Sequence, residues 1–187
     1  LPSEEVRPLL QALQRTLDHA LRRASMAGDV TPERRCKPAD DFPLLLQLFE
    51  HRLGRDYALT LTIAEGVTTV PVDREDLLEF LGNLLENATK WARGTIHLSV
   101  EKNDGSVSFC VEDDGPGFPQ GQETLLQERG LRADQRTPGQ GLGLAIVAEG
   151  VALYGGQLTL GRSARLGGAQ VCLTFPRHAE PARRQGG

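Results

Sequence analysis

Two alternating segments joined by a short turn constrain the fold of this chain more than any other feature. Residues 95–101 and 106–112 have apolar side chains at every second position, which is typical of strands with one buried face. Asp104 and Gly105 lie between them and favour a tight hairpin turn. This hairpin is the clearest β signal in the chain.

Helical and β-rich segments surround the hairpin along the chain. Apolar residues at three- and four-residue steps predict helices that begin near Asp41 and Asp73, and a third helix over residues 142–154. Further strands are predicted at residues 57–63, 68–72, 157–160 and 170–175. This order predicts an α+β fold, a two-layer α/β sandwich whose mixed sheet is covered on one face by helices.

A long amphipathic helix is predicted before this domain, over residues 1–28. Its apolar residues form a seam and its arginines lie on the other face, a pattern that favours packing on another helix in a bundle. Residues 29–40 contain two prolines and clustered charges and are predicted to be a linker. The domain is predicted over residues 41–177, followed by a disordered tail at residues 178–187.

Composition excludes several classes of protein. With 39% hydrophobic and 25% charged residues the chain is globular, and a formal net charge of −4 argues against a dedicated nucleic-acid binder. No apolar run approaches the roughly 18 to 20 residues that span a bilayer. The three cysteines are far apart and lack metal-ligand spacing, so we expect reduced thiols of a cytosolic protein.

A polar stripe is predicted on the helix that follows Asp73. Asn83, Asn87 and Lys90 are spaced by four and three residues, so they share one side of the helix, opposite its leucines. Amide oxygens can bind a hard cation such as Mg²⁺, and a lysine beside them can neutralise phosphate. An ordinary solvated helix surface has the same pattern, so the stripe alone leaves both interpretations open.

Two glycine-rich segments come later in the chain. Residues 112–118 follow a strand, where Gly115 and Gly117 allow a ligand close to the backbone and Asp113 can accept a hydrogen bond from an exocyclic amine. Residues 138–144 open a helix, whose N-terminal N–H groups suit phosphate. Taken alone, the first segment could be a turn and the second a hinge. The long polar segment between them, residues 120–138, is typical of a lid.

Other nucleotide and hydrolase motifs do not occur. A dinucleotide fingerprint needs a glycine three residues after its second glycine, where this chain has Leu144 or Ile146. There is also no Walker A loop and no Gly-x-Ser-x-Gly elbow.

In this order and spacing, the three clusters resemble the catalytic and ATP-binding domain of bacterial sensor histidine kinases, a branch of the gyrase, Hsp90, histidine kinase and MutL superfamily. The resemblance covers residues 42–177, is most similar to the PhoQ-type kinases, and implies a Bergerat-type ATP fold. Residues 21–28 are similar to the end of the second dimerisation helix in that group. The matching motifs are the N box at residues 82–91, the first glycine box Asp113-x-Gly115-x-Gly117, and the second glycine box Gly139-x-Gly141-x-Gly143.

The resemblance implies roles for individual residues. Asn83 and Gln140 would bind Mg²⁺, and Asn87 would hold the phosphate and metal region. Trp91, where the group usually has tyrosine, would stack on adenine, and Asp113 would bind the adenine amino group. The expected catalytic residues are Asn83, Lys90 and Arg132, the last two as phosphate contacts. The remaining implied nucleotide contacts are Gly115, Gly117, Phe118, Gly139, Gly141, Leu142, Gly143 and Leu144.

Two positions of the lid depart from the PhoQ-type pattern. The arginine expected immediately before Pro-Gly is Thr137 in this chain, with Arg136 adjacent to it. The phenylalanine expected before the lid arginines is replaced by Gln127 and Glu128. The anchoring of the lid is therefore expected to differ from that of the group.

One N-box position indicates the class of reaction. Hydrolases and serine kinases of the superfamily have a glutamate base four residues before the N-box asparagine, where this chain has Asn83. An amide cannot accept the proton, so the site suits transfer to a nucleophile that needs no base, such as a neutral imidazole. The four histidines are His19, His51, His97 and His178, and none has the sequence context of the family's phosphoacceptor histidine. We therefore expect the phosphoacceptor on a dimerisation helix that is missing from this chain.

The expected function is that of a sensor histidine kinase core, which uses ATP and Mg²⁺ to phosphorylate that histidine for relay to an aspartate of a response regulator. The implied partners are the receiver domain of the regulator and the dimerisation helix of the same or a second protomer in a homodimer, with no nucleic acid. The chain would be the cytoplasmic portion of an inner-membrane sensor, with membrane contact only through other segments. The alternatives are a non-catalytic nucleotide-binding docking module and a conformational ATPase.

Overall fold

The computed structural model describes residues 34–53, 57–118 and 142–177. Within these ranges the chain forms three α-helices and five strands. The helices are α1 (Pro38–Leu53), α2 (Arg74–Trp91) and α3 (Leu142–Leu153). The strands are β1 (Ala58–Ile63), β2 (Thr95–Asn103), β3 (Ser106–Asp113), β4 (Gln157–Arg162) and β5 (Ala169–Pro176).

The five strands form one mixed sheet in the order β1-β2-β3-β5-β4. Strand β1 pairs with β2 in parallel, and the other neighbours are antiparallel. The predicted hairpin is confirmed, since β2 and β3 pair directly and Gly105 adopts a φ of 81° in the turn between them. Because β5 inserts between β3 and β4, the end of β3 lies beside the start of β5.

Apolar residues of the sheet and helices form one core on a single face of the sheet. Alternate residues of β2 and β3 point into it, and Phe109 of β3 makes edge-to-face ring contacts with Phe42 of α1 and Phe175 of β5. The hydroxyl of Tyr154, just after α3, donates to the buried carboxylate of Asp76 and so joins the end of α3 to the first turn of α2. The predicted two-layer α+β sandwich is therefore confirmed.

The start of the domain differs from its expected position. Helix α1 begins at Pro38, three residues before Asp41, whose carboxylate accepts a hydrogen bond from Lys37 N. Cys36 is fully buried and exchanges backbone hydrogen bonds with Val70 and Val72. Residues 34–40, which we expected in a linker, thus pack on the domain.

The strand expected at residues 68–72 does not form. This segment pairs with the short stretch around Cys36 through two backbone hydrogen bonds and one isolated bridge, Arg35 with Asp73. A β-rich run becomes a strand only when a neighbouring strand supplies a continuous ladder, and here the partner is a few residues long.

The expectation of three reduced thiols is also wrong for two of the cysteines. Cys110 of β3 and Cys172 of β5 form a disulfide, while Cys36 is free and buried. The two bonded residues are directly opposite in the β3–β5 register, which cysteine spacing along the chain does not reveal.

Several predicted segments lie outside the described residues: the bundle helix at residues 1–28, the lid at residues 120–138, and the tail at residues 178–187. In the part of the chain that the structure describes, no helix is both long enough and apolar enough to cross a membrane.

Candidate functional site

Helix α2 presents the predicted polar stripe beside the start of α3. Its N-cap is Asp73, whose carboxylate accepts a hydrogen bond from Glu75 N at 2.9 Å, and four of its five leucines are buried in the core. Asn83 and Asn87 are half-buried and Lys90 is exposed. The amphipathic pattern of α2 therefore leaves these polar groups at the edge of the core.

The amide of Asn83 is held in a defined orientation. Its Nδ2 donates to the backbone oxygen of Glu79 at 2.9 Å, so its Oδ1 is directed away from its own helix. A Cβ placed on Gly143 would lie 3.4 Å from this Oδ1. The amide oxygen thus faces the first turn of α3, where the second glycine box ends.

Asp113, the last residue of β3, is the most buried polar group of the site, with 5% of its surface exposed. Its Oδ1 accepts hydrogen bonds from Gly115 N at 2.8 Å and Ala169 N at 3.1 Å. Burial raises the pKa of the Asp113 carboxyl, an effect that these two N–H donors oppose. Its Oδ2 accepts no hydrogen bond from the described residues, so this oxygen can accept one from a ligand.

Two glycines surround Asp113 because no side chain fits there. A Cβ on Gly115 would overlap the backbone oxygen of Trp91 and lie 2.8 Å from Asp113 Oδ1. A Cβ on Gly168 would overlap both the backbone oxygen and the carboxylate of Asp113. The first glycine box therefore packs on the end of α2 and on the turn before β5.

Asp114 has a different environment from its neighbour. Its Oδ1 accepts hydrogen bonds from the backbone N–H groups of Arg93 at 2.7 Å and Gly94 at 3.1 Å. Although burial opposes them, these donors hold the pKa of the Asp114 carboxyl below its usual value. Asp114 therefore connects the glycine box to the turn after α2 and fixes where that helix ends.

The remaining described site residues lie at the rim or pack on the core. Trp91, the last residue of α2, is 59% exposed, and Lys90 makes a 3.6 Å surface ion pair with Glu86. Phe118 and Leu144 are half-buried against the core. Gly117 adopts a φ of 79°. Leu142 begins α3, and the other predicted residues, Arg132, Gly139, Gln140 and Gly141, lie outside the described ranges.

Sequence reasoning missed three residues that position the site: Asp114, Gly168 and Ala169. Asp114 accepts hydrogen bonds from backbone N–H groups through its carboxylate, Gly168 lies where no side chain fits, and Ala169 contributes only an N–H group. The available signals were the paired carboxylates at residues 113–114 and the paired glycines at residues 167–168, both of which are also common in turns.

A divalent cation would have to bind mainly to amide oxygens and ligand phosphates. Among the described residues no group of three His, Cys, Asp or Glu side chains could hold a metal ion. The oriented Oδ1 of Asn83 is a suitable ligand for a hard cation such as Mg²⁺, which commonly keeps several waters and binds substrate phosphates. The residues present therefore fit a metal that arrives together with a nucleotide.

Comparison with known proteins identifies close relatives of this domain. A family model described as "Histidine kinase-, DNA gyrase B-, and HSP90-like ATPase" matches residues 72–179, more than half of the chain. The sensor protein kinase CarS of Pseudomonas aeruginosa is 37% identical over 171 residues, which cover 91% of this chain and 38% of CarS. The sensor protein PhoQ of Escherichia coli K12 is 32% identical over 177 residues, which cover 92% of this chain and 36% of PhoQ.

A solved structure gives the same result for the fold. The ATP binding domain of PrrB from Mycobacterium tuberculosis is 26% identical, with a TM-score of 0.56, and the match covers 74% of this chain and 96% of that domain. The chain thus spans nearly the whole of an isolated domain of this type. It spans somewhat more than a third of the length of the two curated relatives.

Proposed function

Because this chain belongs to the family of histidine kinase-, DNA gyrase B- and HSP90-like ATPases, we propose that it is the ATP-binding catalytic core of a sensor histidine kinase. The main support is the buried carboxylate of Asp113. Its Oδ1 is fixed by two backbone N–H donors, and its Oδ2 accepts no hydrogen bond from the described residues. A buried acceptor that lacks a partner is costly, so a hydrogen-bond donor on a bound ligand would stabilise the complex.

The adenine base supplies that donor. Its exocyclic amino group donates to Asp113 Oδ2, while Gly115 and Gly117 leave room for the ring beside the backbone. Trp91 stacks on the base from the end of α2, and its large exposed ring suits this contact. Guanine has a carbonyl oxygen in place of the amino group, so two acceptors would face each other and GTP is rejected.

The phosphates lie along α2 and at the start of α3. The N-terminal N–H groups of α3 bind phosphate oxygens, and Lys90 reaches them by leaving its exposed pair with Glu86, which costs little. Asn83, with Gln140 from the lid, holds Mg²⁺, and Asn87 holds the adjoining phosphates. When bound, Mg²⁺ would neutralise charge on the transferred phosphoryl group.

The phosphoryl group passes to an imidazole rather than to water. Asn83 occupies the position where a base is needed for hydrolysis, and its amide cannot accept a proton. Within the described residues His97 is buried in the sheet with its Nδ1 at 2.7 Å from Thr60 Oγ1, so it does not suit the acceptor role. The acceptor is a histidine on a dimerisation helix, and the receiver domain of a response regulator takes the group from it.

A nucleotide titration tests this proposal. Calorimetry with Mg²⁺-ATP should show saturable binding, and Asp113→Asn should weaken it by about 5- to 150-fold, equivalent to roughly 1–3 kcal/mol. Asp104→Asn, on the exposed hairpin turn, is the matched control, because Asn-Gly favours the same turn as Asp-Gly. Trp91 is the single tryptophan, so its fluorescence reports binding independently. Equal affinity for ATP and GTP would contradict the role of Asp113.

A further inference from the structure

The disulfide between Cys110 and Cys172 lies on the face of the sheet opposite the helices. Phe109 and Val111 point into the core, so the residue between them points to the other face. The side chains around the disulfide are polar: Ser99 is opposite Cys110 on β2, and Ser108 and Thr174 form a 2.9 Å hydrogen bond two residues away. On the other side of the disulfide, also two residues away, Gln170 donates a 3.2 Å hydrogen bond to Glu112, so polar side chains lie on both sides of the cysteine pair.

The two cysteines differ in their access to solvent. Cys172 is half-buried, whereas Cys110 is 5% exposed and Cys36, elsewhere in the domain, is fully buried. Burial also raises the pKa of the Cys36 thiol, which keeps it protonated and unreactive. Small thiols and disulfides in solution should therefore meet Cys172 first.

The disulfide joins the two strands whose ends form the adenine site. Asp113 lies three residues after Cys110 on β3, and Ala169, which donates to the Asp113 carboxylate, lies three residues before Cys172 on β5. At the rise of a strand this separation is about 10 Å on each side. The state of the cysteine pair therefore affects how firmly β3 and β5 are held together near Asp113.

We propose that Cys110 and Cys172 form a redox modification site, which a low-molecular-weight disulfide closes and a thiol reopens. The thiolate of Cys172 attacks the small disulfide, forms a mixed disulfide and releases one small thiol. The thiolate of Cys110 then attacks the Cys172 sulfur, forms the bond between the strands and releases the second small thiol. Two cysteine thiols are thus oxidised with loss of two protons, and one small disulfide is reduced to two thiols.

The chemical test uses the folded chain, fully reduced and then titrated with oxidised glutathione. Intact mass and peptide mapping should show that wild type and the matched control Cys36→Ser lose two hydrogens and contain a Cys110–Cys172 peptide link. Cys110→Ser should instead accumulate a glutathione adduct at Cys172, and Cys172→Ser should stay unmodified at Cys110. Serine suits this hydroxyl-rich face, and circular dichroism checks that both variants fold. A lasting adduct in wild type, or reaction at Cys36 before the pair, would overturn the proposal.

The functional test compares the closed and open forms. The closed form should melt roughly 5 to 15 °C higher, because the bond restrains a loop of 62 residues in the unfolded chain. It should bind Mg²⁺-ATP roughly 2- to 10-fold more tightly, because Asp113 is then better preorganised. This second effect depends on the proposed function. If the closed and open forms bind ATP with equal affinity, the link between the disulfide and the nucleotide site is refuted. If neither form binds ATP, the proposed function is refuted, and the mass and melting results alone decide the redox site.

Discussion

Replacing Gly168 with alanine should damage both the stability of the domain and its nucleotide site. The added Cβ would overlap the backbone oxygen and the carboxylate of Asp113 and come within 2.5 Å of Gly115 N. Ordinary contacts between nonbonded heavy atoms are about 3.5 Å or longer, so the turn before β5 must move away from β3 by about 1 Å. The atoms in the way are backbone or a fixed carboxylate, so a rotamer change cannot relieve the overlap.

The size of the effect follows from the hydrogen bonds that this movement lengthens. These are Gly168 N to Asp113 O and Ala169 N to Asp113 Oδ1, both 3.1 Å in the structure. A neutral bond contributes about 1 kcal/mol and one to a charged group about 1.5–3 kcal/mol, so the free energy of unfolding should fall by roughly 2.5–4 kcal/mol. For a chain of this size the melting temperature should fall by roughly 5 to 15 °C. The affinity for ATP should fall at least about tenfold, because Asp113 loses one of its two positioning donors.

Differential scanning calorimetry and ATP titration of three glycine variants check this reasoning. Gly161→Ala, on β4, has Gln170 Oε1 as its nearest neighbour at 3.7 Å and should stay within about 0.5 kcal/mol of wild type. Gly167→Ala has open space but a φ of 81°, so it should lose about 1 kcal/mol of stability and keep its affinity for ATP. The reasoning is refuted if Gly168→Ala melts and binds like wild type, or if Gly167→Ala loses equal affinity.

Three further predictions concern charge, metal and transfer. Because burial raises the folded-state pKa of Asp113, its negative charge lowers the free energy of unfolding at neutral pH. This cost disappears as the pH falls toward the ordinary pKa of 3.8. Urea unfolding should therefore show the free energy of unfolding of wild type rising relative to that of Asp113→Asn between pH 7 and about pH 4.5. Asn83→Ala should weaken Mg²⁺-ATP by roughly tenfold or more and leave adenosine binding unchanged, as calorimetry with each ligand would show. With γ-labelled ATP the chain alone should incorporate no phosphate, whereas an added dimerisation helix that carries the proposed acceptor histidine should become labelled. Labelling of His19, His51, His97 or His178 at the rate of an intact kinase would contradict this.

Local periodicity explains which parts of the fold could be predicted. The β2–β3 hairpin depends on alternation within 20 residues and a two-residue turn, and α2 depends on an N-cap and a regular apolar side. The failures occurred where the partner is distant in sequence. Residues 68–72 form no strand because they pair only with the short stretch around Cys36. Cys110 and Cys172 are 62 residues apart in sequence and become neighbours because β5 inserts beside β3.

In the candidate site, the functional side chains could be predicted from the sequence more easily than the backbone groups that position them. Motifs identify residues whose side chains have special chemistry, so Asp113 and Asn83 could be proposed from the sequence. The groups that position them are often N–H groups, which any residue except proline provides, and Ala169 therefore leaves no signal even though it donates to Asp113. Gly168 leaves only a weak signal in the sequence, because a glycine is needed there only to make room for Asp113, which lies 55 residues earlier in the chain.

The alternation of side chains along β3 nevertheless explains why we assign the adenine contact to Asp113 and not to either neighbouring acid. Val107, Phe109 and Val111 point into the core, so the next position in the series, residue 113, continues toward the helices at the edge where α2 ends. Glu112 points to the other face, where Ser163 and Gln170 donate to it, and Asp114 binds the turn after α2. A carboxylate that takes the place of the next core residue is buried by the same packing that buries the valines. Alternation thus places the Asp113 carboxylate on the helix side of the sheet, and the N–H groups of Gly115 and Ala169 then determine that Oδ2 is the oxygen left for the proposed contact with the base.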